Sequence, residues 1–168
     1  MPFVPHTGTG KFQRYLAQNV PFSPIENLRH DLENTLDQKL SHRGEAHITV
    51  ITPPEYERLS SALSIDSINL LLANRIQQQE FSIDCLGTAE KTIDGVTIAT
   101  YFLVIQSPDL ERIRKEIARH YRDAGGSPPA FTSYYYPHIT IGFLNRDLHA
   151  SDSVFKDQRH CISKVQLK

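Results

Sequence analysis

Cysteine is scarce. Cys85 and Cys161 are the only two, too few and too isolated for a disulfide framework or a zinc-ligand pair of C-x-x-C spacing, so free and mostly buried thiols are expected. An excess of either charge is also missing. The formal net charge of -1 excludes the basic coat of a protein that binds long nucleic acids, so no long duplex is expected as a partner. A short nucleotide or an RNA end remains compatible. Residues Met1 to Gly10 lack the basic-then-apolar pattern of a leader, and no run of about 18 apolar residues is present to span a bilayer. A cytoplasmic protein without membrane contact is the expectation. Low-complexity tracts are absent, and 39% hydrophobic with 22% charged residues is the balance of an ordinary globular chain. At 168 residues it has room for one core, or two small lobes sharing one, so a single compact unit over 1–168, acting as a monomer, is expected.

Missing motifs exclude several chemistries. Gly8-Thr9-Gly10-Lys11 is no phosphate loop, because Pro5 stands where the first glycine belongs and Phe12 follows the lysine. No H-x-H-x-H run and no G-x-S-x-G elbow occurs. His6, His30, His42, His120, His149 and His160 are scattered without the spacing of a zinc site, so neither metal nor cofactor is expected.

What is present is a clear sequence of elements. Phe12 to Ala17 suits a short strand. Ser23-Pro24-Ile25-Glu26 has the form of a capping box, and Ile25, Leu28, Leu32, Leu36 and Leu40 form an apolar stripe that predicts a helix through about Ser41. Glu45 to Ile51 reads as a strand. Thr52-Pro53-Pro54-Glu55 caps a short helix, and another covers Ser67 to Gln78. Phe81, Ile83 and Cys85 alternate as a half-buried strand does, and Asp94-Gly95 marks a hairpin turn into a strand over Val96 to Ile105. Ser107-Pro108 opens a helix with Leu110, Ile113, Ile117 and Tyr121 on one stripe, ended by Gly125-Gly126. A loop over Ser127 to Ser133 leads to the strand at Tyr136, Asn145 to Asp157 reads as loop, and Ile162 to Leu167 as a final strand. Strand, helix, strand thus occurs twice, over Phe12 to Ile51 and Val96 to Phe143.

Both repeats end in the same three letters, His47-Ile48-Thr49 and His138-Ile139-Thr140. Strand side chains alternate with period two, so each histidine shares a face with its threonine, while Ile48, Val50, Ile139 and Ile141 take the core side. With eight histidines and threonine at about one position in fifteen, about half of one H-x-T arises by chance, so one copy carries nothing. Two copies at the ends of equivalent units are a different matter. Paired histidines can divide acid and base duties, each worth about 10² to 10⁴ in rate, and a threonine hydroxyl beside each can donate to phosphate oxygens.

On these residues the chain resembles the two-histidine (2H) phosphoesterases, which include bacterial RNA 2′,3′-cyclic phosphodiesterases (also called 2′-5′ RNA ligases) and eukaryotic cyclic-nucleotide phosphodiesterases. The specific part is His47-Ile48-Thr49-Val50 and His138-Ile139-Thr140-Ile141, with Pro137 before the second histidine and Gly142-Phe143 after it. The resemblance implies an α+β fold of two pseudo-symmetric lobes with mainly antiparallel sheets around a cleft that carries both motifs. It further implies His47 and His138 as general acid and base, Thr49 and Thr140 as phosphate ligands, no metal, and a nucleotide or RNA 3′-end with a cyclic phosphate as substrate. RNA processing or repair would be the setting.

Further contacts are candidates on placement alone. Tyr134 and Tyr136 share the face of His138 if the strand extends back to them, and a base stacked on either would gain about 1–3 kcal/mol. Gly142 would let a ligand approach the backbone, although a turn or bulge explains it equally. Lys11, Arg14, Arg43 and Arg146 lie near the ends of the key elements. Loops at Asp84 to Val96 and Asn145 to Asp157 are expected to set what enters. A module that binds an RNA end without turnover, a 2′-5′ RNA ligase and a purely structural domain stay open.

Overall fold

The computed structural model describes residues 1–131 and 134–165. Its architecture is α+β, with four α-helices and two sheets among the described residues. Strands β1 (His6–Thr7), β2 (Arg14–Val20) and β3 (Ala46–Ile51) form the first sheet in that order. The second has the order β6-β5-β4-β7, from β4 (Ser82–Ile93), β5 (Val96–Gln106), β6 (His138–Leu144) and β7 (Cys161–Ser163), and β5 pairs antiparallel with β4 and β6, as does β4 with β7. No helix is long and apolar enough to cross a membrane among the described residues.

The chain divides into two compact units. One comprises Met1–Asn19, Ile48–Phe81 and Ser107–Tyr135, hence most of the first sheet, with β3 from Ile48 onward, and helices α2 (Pro53–Leu59), α3 (Ile65–Gln77) and α4 (Pro108–Asp123). The other comprises Val20–His47, Ser82–Gln106 and Tyr136–Lys168, hence the second sheet with α1 (Phe22–Leu36). Both expected strand-helix-strand runs are present, as β2-α1-β3 and β5-α4-β6. The helix of each run nevertheless belongs to the unit that holds the other run's terminal sheet.

Local chemistry accounts for most boundaries. Thr52 and Glu55 form the reciprocal capping box that starts α2, with the Thr52 N–H donating to Glu55 Oε2 at 2.9 Å. Leu110, Ile113, Ile117 and Tyr121 are all buried along α4, and Gly125, at φ +89°, closes it. Asp94 and Gly95 both take positive φ, which matches the right-handed twist of a two-residue hairpin between β4 and β5.

Several expectations need correction. Helix α1 starts at Phe22 with Pro21 at its cap, so Ser23 is inside the first turn and makes no cap bond. The helix stops at Leu36 because Asp37 turns left-handed, and its deeply buried positions include an Arg29–Glu33 ion pair at 2.7 Å, while Leu36 is exposed. Leu40 therefore reaches the core from beyond the helix. Asp84 to Val96 is strand and hairpin, since β4 pairs with β5 along its whole length. Strand β2 begins at Arg14, two residues later than expected and running to Val20. The expected last strand shortens to Cys161–Ser163, with Gln166 and Leu167 outside the described residues, as are Thr132 and Ser133 of the expected loop.

The irregularity expected at Gly142 is present, and packing adds a steric reason for the glycine. A register shift lies opposite Tyr101 and Phe102, and a Cβ on Gly142 would stand 2.9 Å from Leu40 Cβ and 3.2 Å from the Ser41 carbonyl oxygen. Ser41 and Phe143 exchange two backbone hydrogen bonds of 2.9 Å, so the glycine makes room for residues 40 and 41 beside β6.

The two thiols expected to be free form a disulfide, Cys85–Cys161, with Cα atoms 5.7 Å apart. Pairing of β7 with β4 brings them together across 76 residues of chain. Such bridges are rare in a reducing cytosol, so the cysteines lend the cytoplasmic expectation no support.

Two stability measurements test this account. Gly142→Ala should cost about 1–3 kcal/mol in urea denaturation, because Leu40 and the Ser41 carbonyl must move. Thiol titration should find no free cysteine in the native protein, and reduction should lower the unfolding free energy by about 2–4 kcal/mol.

Candidate active site

The first motif lies on β3. Ile48 and Val50 are fully buried while His47 and Thr49 are half-buried, the alternation expected of this strand. His47 Nδ1 lies 3.3 Å from Oε1 of Glu45, two residues earlier. Within the first unit the strand beyond His47 is braced by its own carbonyls. Buried Arg114 of α4 donates to the Val50 carbonyl at 2.6 Å and forks onto Glu55 at 2.8 and 3.1 Å. Its guanidinium lies 4.3 Å from the Phe131 ring centroid and 4.6 Å from that of Tyr135. The Tyr135 hydroxyl donates to the Thr49 carbonyl at 3.0 Å, and burial raises the phenol's pKa, so it stays a donor.

The second motif lies on β6, again with buried isoleucines, Ile139 and Ile141, and half-buried His138 and Thr140. His138 Nδ1 is 2.8 Å from the carbonyl of Tyr136, two residues earlier. A carbonyl only accepts, so Nδ1 carries the proton and Nε2 holds the lone pair in the neutral ring. The ring of Phe102 on β5 meets the imidazole edge-on at 6.2 Å. Burial, then the Lys156 charge, depress the pKa of His138; the Tyr136 carbonyl and Asp147 oppose them, and His47 adds to the depression. His47 is thus close enough to influence the titration of His138.

Behind Thr140 stands a buried ionic cluster. The Lys156 ammonium, 3% exposed, donates to Thr140 Oγ1 at 3.2 Å and to Asp147 Oδ1 at 2.7 Å. Asp147 also accepts from the Thr100 hydroxyl of β5 at 3.1 Å and from Arg43 at 3.3 Å. Burial pushes the Asp147 carboxyl up, but the Lys156 charge and hydrogen bond, with His149 and Arg43, leave it below its ordinary value. For Lys156 burial dominates and lowers the pKa, with Asp147 opposing it. The neighbouring Leu148 is fully buried and its N–H donates to Thr100 Oγ1 at 2.9 Å, which seats this stretch on β5.

One acidic side chain of α1 directs the approach to the first motif. The Glu33 carboxylate accepts the Leu40 N–H at 2.8 Å, Lys39 at 3.1 Å and Arg29 at 2.7 Å, and the Leu40 bond, followed by those cations, holds its pKa at about 2. These bonds fold residues 37–41 back so that Ser41 bridges Phe143 and Arg43 reaches Asp147. His47 follows four residues later in the same unit as His138.

The remaining sequence candidates fall outside this group. Strand β6 starts at His138, so Tyr134 and Tyr136 are not on it. Tyr134 is 70% exposed, and the Tyr136 ring rests 5.4 Å from that of Phe155. Arg14 pairs with Glu57 at 3.5 Å over the Tyr56 ring, Arg146 forks onto Asp152 at 2.7 and 2.9 Å, and Lys11 lies over Phe12. Lys156, Asp147, Thr100 and Arg114 were not foreseen. Their separations match no motif, and Asp147 and Lys156 sit in a stretch that reads as polar loop.

A family model described as "2H-SAK: Swiss Army Knife, 2H phosphoesterase domain" matches residues 14–149. No curated protein matches the chain.

The depressed pKa of His138 has a consequence for stability. A folded-state pKa below the unfolded one means that the unfolded chain binds more protons, so stability rises with pH. The contribution should be complete above about pH 6.5, the ordinary histidine value, and be lost as pH falls toward the depressed one. Imidazole NMR should show His138 neutral at pH values where an exposed histidine is protonated, and His138→Gln should flatten the slope of stability against pH over that range.

Proposed function

Because the chain belongs to the 2H phosphoesterase family, a family acting on phosphodiester bonds, we propose that it opens a 2′,3′-cyclic phosphate on a nucleotide or RNA 3′-end by paired-histidine acid–base catalysis. The observation that carries this reading is the matched pair of motif histidines. Each has Nδ1 held close to the residue two positions earlier, and His47 lies near enough for its charge to act on His138.

The division of labour follows from environment. His138 is kept neutral by burial and by the Lys156 ammonium, so its Nε2 lone pair takes a proton from water as the water oxygen bonds to phosphorus. The bond from phosphorus to one ribose oxygen breaks, and His47 gives its proton to that oxygen. Thr140 and Thr49 donate hydroxyl hydrogens to the non-bridging oxygens, where negative charge gathers. The proton on His138 then returns to solvent. With a ribose 5′-hydroxyl in place of water, the same ring opening joins two ends: the hydroxyl gives its proton to His138 as its oxygen bonds to phosphorus, the bond to the 3′ oxygen breaks and that oxygen takes the proton of His47, leaving a 2′-5′ linkage. The near-neutral net charge fits a nucleotide or a terminal phosphate better than a long duplex.

Incubation with nucleoside 2′,3′-cyclic phosphates in EDTA should give nucleoside monophosphate. His47→Ala and His138→Ala should each lower kcat/KM by about 10² to 10⁴, with one limb of the pH profile lost in each. Turnover indifferent to both substitutions would overturn the assignment, and stoichiometric binding without product would instead identify a binding module.

A further inference from the structure

Lys156 lies outside both histidine motifs, yet it is among the most deeply buried charged side chains described, at 3% exposure. An ammonium is only a donor, so in the 3.2 Å contact with Thr140 the threonine oxygen must accept. That occupies a lone pair and leaves the hydroxyl hydrogen to point elsewhere. A threonine without such a neighbour turns its hydroxyl to whichever partner is nearest, and can meet an anion with a lone pair. Here that orientation is disfavoured before any ligand arrives.

The charge balance points the same way. Asp147 carries one negative charge and is held by two cations, Lys156 and Arg43, at 2.7 and 3.3 Å. Lys156 is buried with it, whereas Arg43 is partly exposed, so Asp147 is shared between two cations and offsets the Lys156 ammonium only in part on the side that meets Thr140. Buried charge is costly unless neutralised, and an anion placed against Thr140 would neutralise it.

We infer that Lys156 is a positioning residue of the phosphate site, which turns the Thr140 hydroxyl hydrogen toward the bound phosphate and supplies a fixed positive charge behind it. This rests on the reading of the H-x-T face as a phosphate site. Asp147 holds the ammonium in place, and Thr100 and the seated Leu148 hold Asp147. Lys156 also acts on His138, which is faced by Lys156 and Asp147 from the segment after β6, by His47 from β3 and by the Tyr136 carbonyl. Arg43 and His149 act on the far side of Asp147. Loss of the ammonium would ease protonation of His138.

The test compares wild type, Lys156→Met, Lys156→Arg, Thr140→Val and the Lys156→Met/Thr140→Val double variant, using inorganic phosphate as the binding probe and a nucleoside 2′,3′-cyclic phosphate as substrate. Lys156→Met should weaken phosphate binding about 10-fold, raise KM more than it lowers kcat, and move the acid limb of kcat/KM to higher pH. Lys156→Arg should recover part of the affinity. With Lys156→Met already present, Thr140→Val should cost little more, because the two act as one unit. Unchanged phosphate affinity and an unmoved acid limb in Lys156→Met, or losses that simply add, would overturn the inference. Should that variant not fold, the Lys156 side-chain NMR signal of the wild type should shift on phosphate saturation, and a stationary signal would overturn it equally. Wild-type phosphate binding without turnover of the cyclic substrate would remove the catalytic reading and leave the role of Lys156 to the binding arm.

Discussion

The buried carboxylate of Asp147 is the contact on which the second motif depends. It draws a hydroxyl from β5, a guanidinium from the segment that leads to the first motif, and the ammonium that meets Thr140. Taking a carboxylate out of water costs several kcal/mol, and only a full set of donors offsets it. The same requirement makes the arrangement specific, since removing any donor leaves a buried charge undercompensated. Glu33 plays a comparable part earlier in the chain, where one carboxylate satisfies a backbone N–H and two cations and thereby directs residues 37–41 toward β6.

Each H-x-T strand is stiffened, but by unlike chemistry. On β3 the support acts on the backbone, through Arg114 and Tyr135 on the carbonyls of Val50 and Thr49. On β6 it acts on the side chains, through the Tyr136 carbonyl on His138 and Lys156 on Thr140. The repeat is therefore one of strand pattern and histidine placement, while the supporting shell is not repeated. That asymmetry is what separates the two imidazoles chemically, because a cation stands beside one motif and a carboxylate, Glu45, beside the other.

Much of the fold was legible because its signals are local. The Thr52–Glu55 box, the Asp94-Gly95 turn and the stripe Leu110, Ile113, Ile117, Tyr121 each involve residues within a few turns or a single hairpin. The Ser23 box misled for an equally local reason. Pro21 already starts the helix, and the pattern S-x-x-E specifies a cap only where the serine lies outside the first turn. Leu40 continued the apolar stripe of α1 in sequence but reaches the core by a reversal at Asp37, which periodicity does not record.

The sequence alone determined that His47 and Thr49, and likewise His138 and Thr140, stand on the polar faces of strands whose other faces carry buried isoleucine and valine. Period-two alternation is a property of the strand itself and needs no partner. Tertiary structure decided what surrounds them: the Cys85–Cys161 bond, the Gly142 notch filled by Leu40 and Ser41, and the Lys156–Asp147 pair behind Thr140. These contacts join residues that pairing and packing bring together from different strands and loops. Their energies come from burial and charge at one place in space, and no spacing along the chain encodes that place.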